Sequence, residues 1–515
     1  MATGTRRPRR PNAAASDAQA SLPTVVVPAG LVPAVAAGAV FVASGAVLML
    51  EILAVRLLAP YVGLTLETTT SIIGAVLAGI ALGAAVGGRF ADRRDPRRLL
   101  VGLLVGGGLL ALLTVPIVRW LGPGARGHGD LAALGITVAS LVPSAAVLSA
   151  VSPTVARLQL NDLGASGTIV GRLSAFATAG ALVGTFGTGF VIVPLMPVST
   201  AVLGIGIALV VVGLVLGFSL RAFRRAAAAG AVAATIVLAA LAATRDSPCD
   251  VETRYHCAVV KVAAGGTGRD LVLDNVYNSH VNLADPKALD YQYTQWIART
   301  IDTTAAAGRP RNGVFVGGGA GTLPRWLLAT RPGSHAEVLE VDKDLVTLDQ
   351  RRLGLKLSPA LQAKVGDARM TLRNLPSGSA DVVVGDAFSG LTVPWHLLTR
   401  EWIQDIRRVL KPGGLYVLNV IDFRPNKLLK AELATLLPLF HDVQLMAGPD
   451  IDDLPAGGNA VIIASDTDRA YPFDPAKDGA YIYDREEVES YAKGATRLRD
   501  DFAPVDQLIS HAPKS

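Results

Sequence analysis

Lysine is missing from the first half of this chain. Up to Asp246 there are about 18 Arg, no Lys and about 8 acidic residues, a charge of about +10. Subtraction from the totals of 48 basic and 42 acidic residues leaves about −4 for the remainder. Charge is scarce altogether, at 17% of residues against 51% hydrophobic, and the mean hydropathy is +0.42. Such a composition is too apolar for an ordinary soluble protein and argues for a membrane-embedded part. The pI of 9.3 then reflects arginines flanking apolar spans, so no nucleic-acid partner is expected. There are only 2 Cys and 7 His, none at metal-ligand spacing, so no metal is expected. There is no GK[ST] phosphate loop and no Ser–His–Asp arrangement. At 515 residues two or more domains are expected, with the compositional boundary near 246.

Residues 1–28 are rich in Arg, Pro, Ala and Ser without apolar periodicity, and are read as a disordered basic tail. The apolar stretch beyond RRPRR is far too long for a cleaved signal peptide. A membrane domain is expected over 29–246, with seven apolar spans at roughly 31–58, 66–88, 99–120, 131–156, 168–194, 198–220 and 226–244. Each is near the ~20 residues that cross a bilayer. Gly79, Gly83 and Gly87, and again Gly180 and Gly184, recur every four residues, a spacing that lets helices approach closely.

RRPRR, RFADRRDPRR (89–98), Arg157 with Arg172, and RAFRR (221–225) fall on alternate connections, while the others carry only Arg56, Arg119 and Arg126. The positive-inside rule then puts the amino terminus and the 89–98 loop in the cytoplasm. The loop GRFADRRDPRR resembles the one between the second and third helices of major facilitator transporters, with Gly88, Asp92, Arg93 and Arg97 at the matching positions. Seven spans are too few for that twelve-helix fold, and a structural loop is expected. Glu51 and Arg56 lie in or at the end of the first span, where ionisable groups face protein or water. Five residues apart, they do not stack on one helix face. They are read as packing groups, or as a path for a cationic ligand past Glu51.

Beyond 250 the pattern turns to β. YHCAVVKV (255–262) and RDLVLDNV (269–276) read as a hairpin turning around GGTG. DYQYTQWIARTID is a predicted helix, and strands and helices then alternate from NGVFVG to LKPGGLYVLNVI. That alternation predicts a doubly wound, mostly parallel sheet, Rossmann-like, with an amino-terminal hairpin, and the domain resembles the α/β class I methyltransferase fold. The glycine run FVGGGAGTL (315–323) joins a strand to a helix. A dinucleotide fingerprint needs glycine at positions one, three and six, but position six is Thr322 or Pro324. Gly317, Gly319 and Gly321 instead suit a nucleoside without a pyrophosphate. Glu340 stands ~20 residues downstream at the next strand end, where a carboxylate accepts from ribose hydroxyls. Asp367 in GDA and Asp386 in DAF stand at further strand ends. In this order they point to binding of an S-adenosylmethionine-type nucleoside.

From ETRYHC (252–257) through LKPGGLYVLNV (410–420) the chain resembles the polyamine aminopropyltransferases, the spermidine synthases. More closely, it resembles their bacterial membrane-fused relatives, and FVASGAVLMLEILAVRLLAPY (41–61) is similar to the first helix of those proteins. The resemblance implies transfer of an aminopropyl group from decarboxylated S-adenosylmethionine, a co-substrate rather than a resident cofactor, to a diamine such as putrescine. It carries Gly317, Gly319 and Gly321 over as the nucleoside turn, Glu340 as the ribose ligand and Asp367 as the adenine-side carboxylate. Asp386 becomes the catalytic carboxylate that deprotonates and aims the amine. Asn278 stands where the family has glutamine, and Tyr293 matches the tyrosine of the amine pocket. Two positions depart: the aspartate of the family's GGGDGG turn is Ala320, and the second aspartate of its catalytic loop is Ser389. Restoring aspartate at 320 is expected to raise activity with the decarboxylated donor. His396 is read as a packing residue, or as one that helps position the acceptor.

The alternatives are an S-adenosylmethionine-dependent methyltransferase, and a polyamine transport or sensor protein whose domain over 247–515 binds nucleoside without catalysis. The expected partners are the lipid bilayer, a small-molecule amine and a second copy of the chain. Seven spans from a cytoplasmic amino terminus put that domain outside the cell membrane, where Cys249 and Cys257 would be permitted a disulfide. Against this, donors of the S-adenosylmethionine type are made in the cytosol.

Overall fold

The computed structural model describes residues 31–62, 66–125, 129–160, 166–222, 225–244, 246–303, 306–452 and 458–510. The expected tail at 1–28 lies outside the described residues. The amino half is helical: α1 (Pro33–Val62), α2 (Leu66–Arg93), α3 (Pro96–Ala125), α4 (Gly129–Ser140), α5 (Val142–Ser149), α6 (Val151–Gln159), α7 (Ser166–Gly187, running on to Leu195), α8 (Val198–Ser219) and α9 (Arg225–Ala242). Among the described residues, six helices are long and apolar enough to cross a membrane. The span expected at 131–156 is a broken one, Leu131–Ser140 and Val142–Gln159, bent by 46°. Pro143, near the start of α5, has no N–H to continue the ladder across the break.

The small residues do what their spacing suggests. A Cβ at Gly83 would overlap the backbone of Ala146, and one at Gly180 would overlap that of Phe41. Glycine therefore lets α2 meet α5 and α7 meet α1 backbone to backbone.

The bundle has two distinct ends. At one, Gln159 donates to Leu31 O at 2.6 Å, and Arg157 pairs at 3.8 Å with Asp92 in the last turn of α2, within the arginine-rich stretch 89–98. At the other, Arg119 donates to Ala242 O at 2.6 Å. There Ser199 donates its N–H and hydroxyl to the Glu252 carboxylate at 3.3 and 3.0 Å. Arg56, at the same end, donates to Thr253 O at 2.9 Å. The carboxyl-terminal domain thus docks on the end away from the 89–98 loop. Glu51 is buried between the helices and lines neither chamber described below.

The carboxyl half opens with a four-stranded antiparallel sheet, β1 (Val251–Glu252), β2 (Cys257–Val262), β3 (Gly268–Leu273) and β4 (Val276–Asn282). The second predicted strand of the hairpin ends early, because Asp274 and Asn275 both adopt positive φ, 47° and 73°. Such a two-residue turn reverses the chain into β4. Cys249 and Cys257 form a disulfide. The main sheet has the order β12-β10-β11-β9-β8-β5-β6-β7. Its strands are β5 (Asn312–Val316), β6 (His335–Glu340), β7 (Leu361–Val365), β8 (Ala380–Gly385), β9 (Leu410–Ile421), β10 (Asp442–Ala447), β11 (Asn459–Ser465) and β12 (Tyr481–Tyr483). β7-β6-β5-β8-β9 are parallel, and the edge β11-β10-β12 is antiparallel.

Helices cover both faces. The helix Arg400–Val409 shows why: Trp402, Ile403, Ile406 and Val409 form its buried stripe, and Thr399 caps it. Strand order reverses between β5 and β8, so a crevice opens at their carboxyl ends.

Candidate functional site

The glycine turn leaves β5 at that crevice. Gly317 has φ +94°, and a Cβ there would overlap the backbone of Asp386, which leaves β8 beside it. Gly319 has φ +44°, and a Cβ there would strike Ser279 Oγ. Gly321, also at positive φ, caps the helix Thr322–Thr330. Glycine is required because the turn is pressed between β8 and the hairpin sheet.

Two chambers meet at this turn. The first, of about 480 Å³, is lined by Tyr291, Tyr293, Asp386, Asn419, Asp290 and His280. The second, of about 930 Å³, is lined by Glu340, Asp367, His396, Tyr255, His256 and Ser389. Asn278, Gly317, Gly318, Gly319 and Asp386 border both.

Asp386 is the hinge of the arrangement. Its Oδ1 accepts from Asn419 Nδ2 at 2.8 Å and its Oδ2 from the Tyr293 hydroxyl at 3.2 Å. Burial pushes its carboxyl up to about 6, although these two hydrogen bonds favour the charged form. Burial, and then the neighbouring Asp386 charge, hold the Tyr293 phenol well above its ordinary value, so Tyr293 stays a donor. The structure therefore brings Asp386 and Tyr293 together. Asn278 sits at the mouth of both chambers and accepts from Ser279 Oγ at 2.8 Å.

In the larger chamber Glu340 is buried. Its Oε2 accepts from Gly318 N at 2.7 Å and its Oε1 from Asp342 N at 2.9 Å. Burial raises its carboxyl, while these backbone amides and the nearby His256 oppose the rise. The Glu340 carboxylate thus also fixes the glycine turn. Asp367 Oδ1 caps the following helix through Arg369 N and Met370 N at 2.9 and 3.3 Å. Its Oδ2 lies 3.0 Å from His396 Nε2.

Five points need correction or addition. His396 lines the chamber of Glu340 and Asp367, not that of Tyr293. Ala320 is fully buried in an apolar cluster with Leu271, Leu273, Leu345 and Leu348, and it lines neither chamber. An aspartate there would face the core rather than a substrate. Asn419 went unread, although a single amide within the apolar run LYVLNVI was its signal. Also unread was His280, whose ring nitrogens lie 2.7 Å from Asp270 and 3.0 Å from Asp290. Near the carboxyl-terminal end, Ala503, Val505, Asp506 and Gln507 also line the larger chamber.

The methyltransferase domain family matches residues 314–418. The polyamine aminopropyltransferase of Vibrio vulnificus is 27% identical over 174 residues, covering 33% of this chain and 56% of that protein. Polyamine aminopropyltransferase 2 of Streptomyces coelicolor is 28% identical over 427 residues, covering 75% of this chain and 74% of that protein. The chain thus spans little more than half of the Vibrio relative and about three quarters of the Streptomyces one. Residues 247–515 make up only about half of the chain, so the Streptomyces match extends into the helical half. A probable spermidine synthase from Corynebacterium glutamicum superposes with TM-score 0.45 at 27% identity, covering 50% of this chain and 99% of that one. The sequence matches carry the comparison, and on them the chain is similar to the polyamine aminopropyltransferases, or spermidine synthases.

Proposed function

We propose that this chain is a membrane-anchored aminopropyltransferase that uses decarboxylated S-adenosylmethionine and a diamine such as putrescine. The observation that supports it best is Asp386, buried where two chambers meet and held by Tyr293 and Asn419. Glu340 and Asp367 supply carboxylates for the ribose and adenine of the donor in the larger chamber. The acceptor amine enters the smaller one, where Asp386, Asp290 and the tyrosines suit a cation.

The amine nitrogen attacks the methylene carbon beside the sulfonium, a carbon–nitrogen bond forms, and the carbon–sulfur bond breaks to release methylthioadenosine. The proton lost by the amine passes to Asp386. With its carboxyl raised to about 6, Asp386 is ionised at neutral pH yet a better base than an exposed aspartate.

A second reading, methyl transfer from S-adenosylmethionine, is favoured by Ser389, which lines the larger chamber where the family has a second aspartate, and by the methyltransferase domain match. The full chain in lipid nanodiscs, incubated with putrescine and each donor in turn, separates the two. Spermidine with methylthioadenosine supports aminopropyl transfer, whereas S-adenosylhomocysteine with a methylated product overturns it.

The carboxyl-terminal domain is further proposed to lie outside the cytoplasm. It docks on the bundle end away from the arginine-rich loop, and Cys249 and Cys257 are paired. That side separates the site from the cytosol where such donors are made, so sidedness tests the whole reading.

A further inference from the structure

The Thr253–His256 turn lies between the membrane helices and the larger chamber. It is knotted on itself: Thr253 Oγ1 accepts from Tyr255 N at 3.1 Å and His256 N at 2.8 Å. The disulfide Cys249–Cys257 closes the segment around it. One side of the turn faces the bundle, where Arg56 of α1 donates to Thr253 O at 2.9 Å. The adjoining Glu252 accepts from Ser199 at the start of α8. The other side presents Arg254, Tyr255 and His256 to the chamber, which Thr69 of α2 also lines.

Behind the turn, His256 Nδ1 lies 2.7 Å from Asp274 Oδ2, and Asp274 Oδ1 accepts from Cys257 N at 2.9 Å. Arg56 is in electrostatic range of Asp274, Asp342 and Glu252. Asp342 directly follows the Glu340 strand and caps the next helix. Asp342 Oδ2 is buried without a hydrogen-bond partner. The membrane helix therefore brings a cation to buried carboxylates beside Glu340, and a buried charge is tolerated only when compensated. Arg56 does not turn toward Glu51. It points out of the bundle into the other domain.

We propose that the membrane domain builds part of the donor site, with Arg56 as a positioning residue that holds the Thr253–His256 turn as one wall of the nucleoside chamber. This inference rests on reading that chamber as the nucleoside site. The bundle is then not only an anchor: whatever moves the end of α1 moves a wall of the donor chamber.

The test uses the full chain in nanodiscs, with methylthioadenosine as the binding probe and steady-state kinetics in both substrates. Arg56→Gln is expected to weaken methylthioadenosine binding about tenfold or more, the scale of a charged hydrogen bond. Donor KM should rise with it, while acceptor KM and kcat stay within about twofold. Arg56→Lys should recover most of the affinity, because charge and reach are kept. Glu252→Gln, which loosens the second tether from the soluble side, should give the same split and serves if Arg56→Gln does not assemble. Methylthioadenosine affinity within about twofold of wild type in the folded variants overturns the inference alone, as does a fall in kcat with both KM values unchanged. Wild-type protein that fails to bind methylthioadenosine overturns the nucleoside reading and this inference with it.

Discussion

The hydroxyl of Tyr293 donates to Oδ2 of Asp386 at 3.2 Å across a sequence separation of 93. The hairpin-following helix is thereby joined to the end of β8 at the point where both chambers meet. If Asp386 accepts the amine proton, Asp386→Asn keeps the shape and removes the base. Turnover should fall by the 10²–10⁴ that a general base contributes, with methylthioadenosine affinity within about threefold of wild type. Tyr293→Phe should lower turnover less, since Asn419 still holds the carboxylate. Turnover of Asp386→Asn within about threefold of wild type would remove Asp386 from the mechanism.

The same carboxylate sets a pH dependence. Its carboxyl lies at about 6 because burial disfavours the charge, and only the deprotonated form can accept a proton. The rate should therefore fall as pH drops through about 6 and level off above it. Asn419 donates to Oδ1 and favours the ionised form. Asn419→Leu should move the inflection upward, toward neutral pH. A profile flat from pH 5 to 8, or an inflection that moves down in Asn419→Leu, contradicts the assignment.

Glu340 spends both carboxylate oxygens on backbone amides, those of Gly318 and Asp342. A glutamine there would set an NH₂ against one of these N–H groups. Glu340→Gln should thus loosen the glycine turn and weaken methylthioadenosine binding about tenfold or more, given ~1.5–3 kcal/mol for a hydrogen bond to a charged group. Isothermal titration of the full chain measures it. An unchanged dissociation constant would mean that the GGGAGT turn does not cradle the nucleoside.

Much of this site was legible because strand-end carboxylates and a glycine turn recur in fixed order along an alternating chain. Asp386, Glu340 and Asp367 were found that way, and all three border the larger chamber. Asn419 was not, because a strand buried on both faces reads as one apolar run, and its polar member carries no spacing signal. The β4 strand was missed for a local reason: the positive φ of Asp274 and Asn275 ends β3 where apolar residues continue on either side. The broken helix at Leu141 was hidden by hydropathy, which counts apolar length and is blind to a bend. The role of Arg56 could not be read at all, since its partner Thr253 is 197 residues away.

Ala320 yields a prediction opposite to the one its place in the motif suggests. Its methyl group is sealed among Leu271, Leu273, Leu345 and Leu348, so Ala320→Asp buries a carboxylate without a partner. The cost of such a group is on the order of several kcal/mol. The variant should unfold at lower temperature, with no gain in turnover on the decarboxylated donor. Wild-type stability together with raised turnover would show that position 320 reaches the substrate after all.

The last prediction concerns the side of the membrane. The soluble domain meets the bundle through Arg56, Ser199 and their partners at one end, while Arg157 and Asp92 mark the other, arginine-rich end. The positive-inside rule assigns the arginine-rich end to the cytoplasm, and the paired Cys249 and Cys257 agree with an oxidising compartment for the opposite end. The cytosolic origin of the donor argues the other way. Thr267→Cys and Lys493→Cys place thiols at exposed positions of the soluble domain, and Arg94→Cys places one in the 89–98 loop. Each variant is made in a chain with Cys249 and Cys257 replaced by serine, and intact cells are treated with a membrane-impermeant thiol reagent. Labelling at 267 and 493 before lysis, and at 94 only after it, is the expected result. The reverse pattern would put the carboxyl-terminal domain in the cytoplasm, remove compartment as a reason for the disulfide, and give the proposed nucleoside site direct access to cytosolic donor.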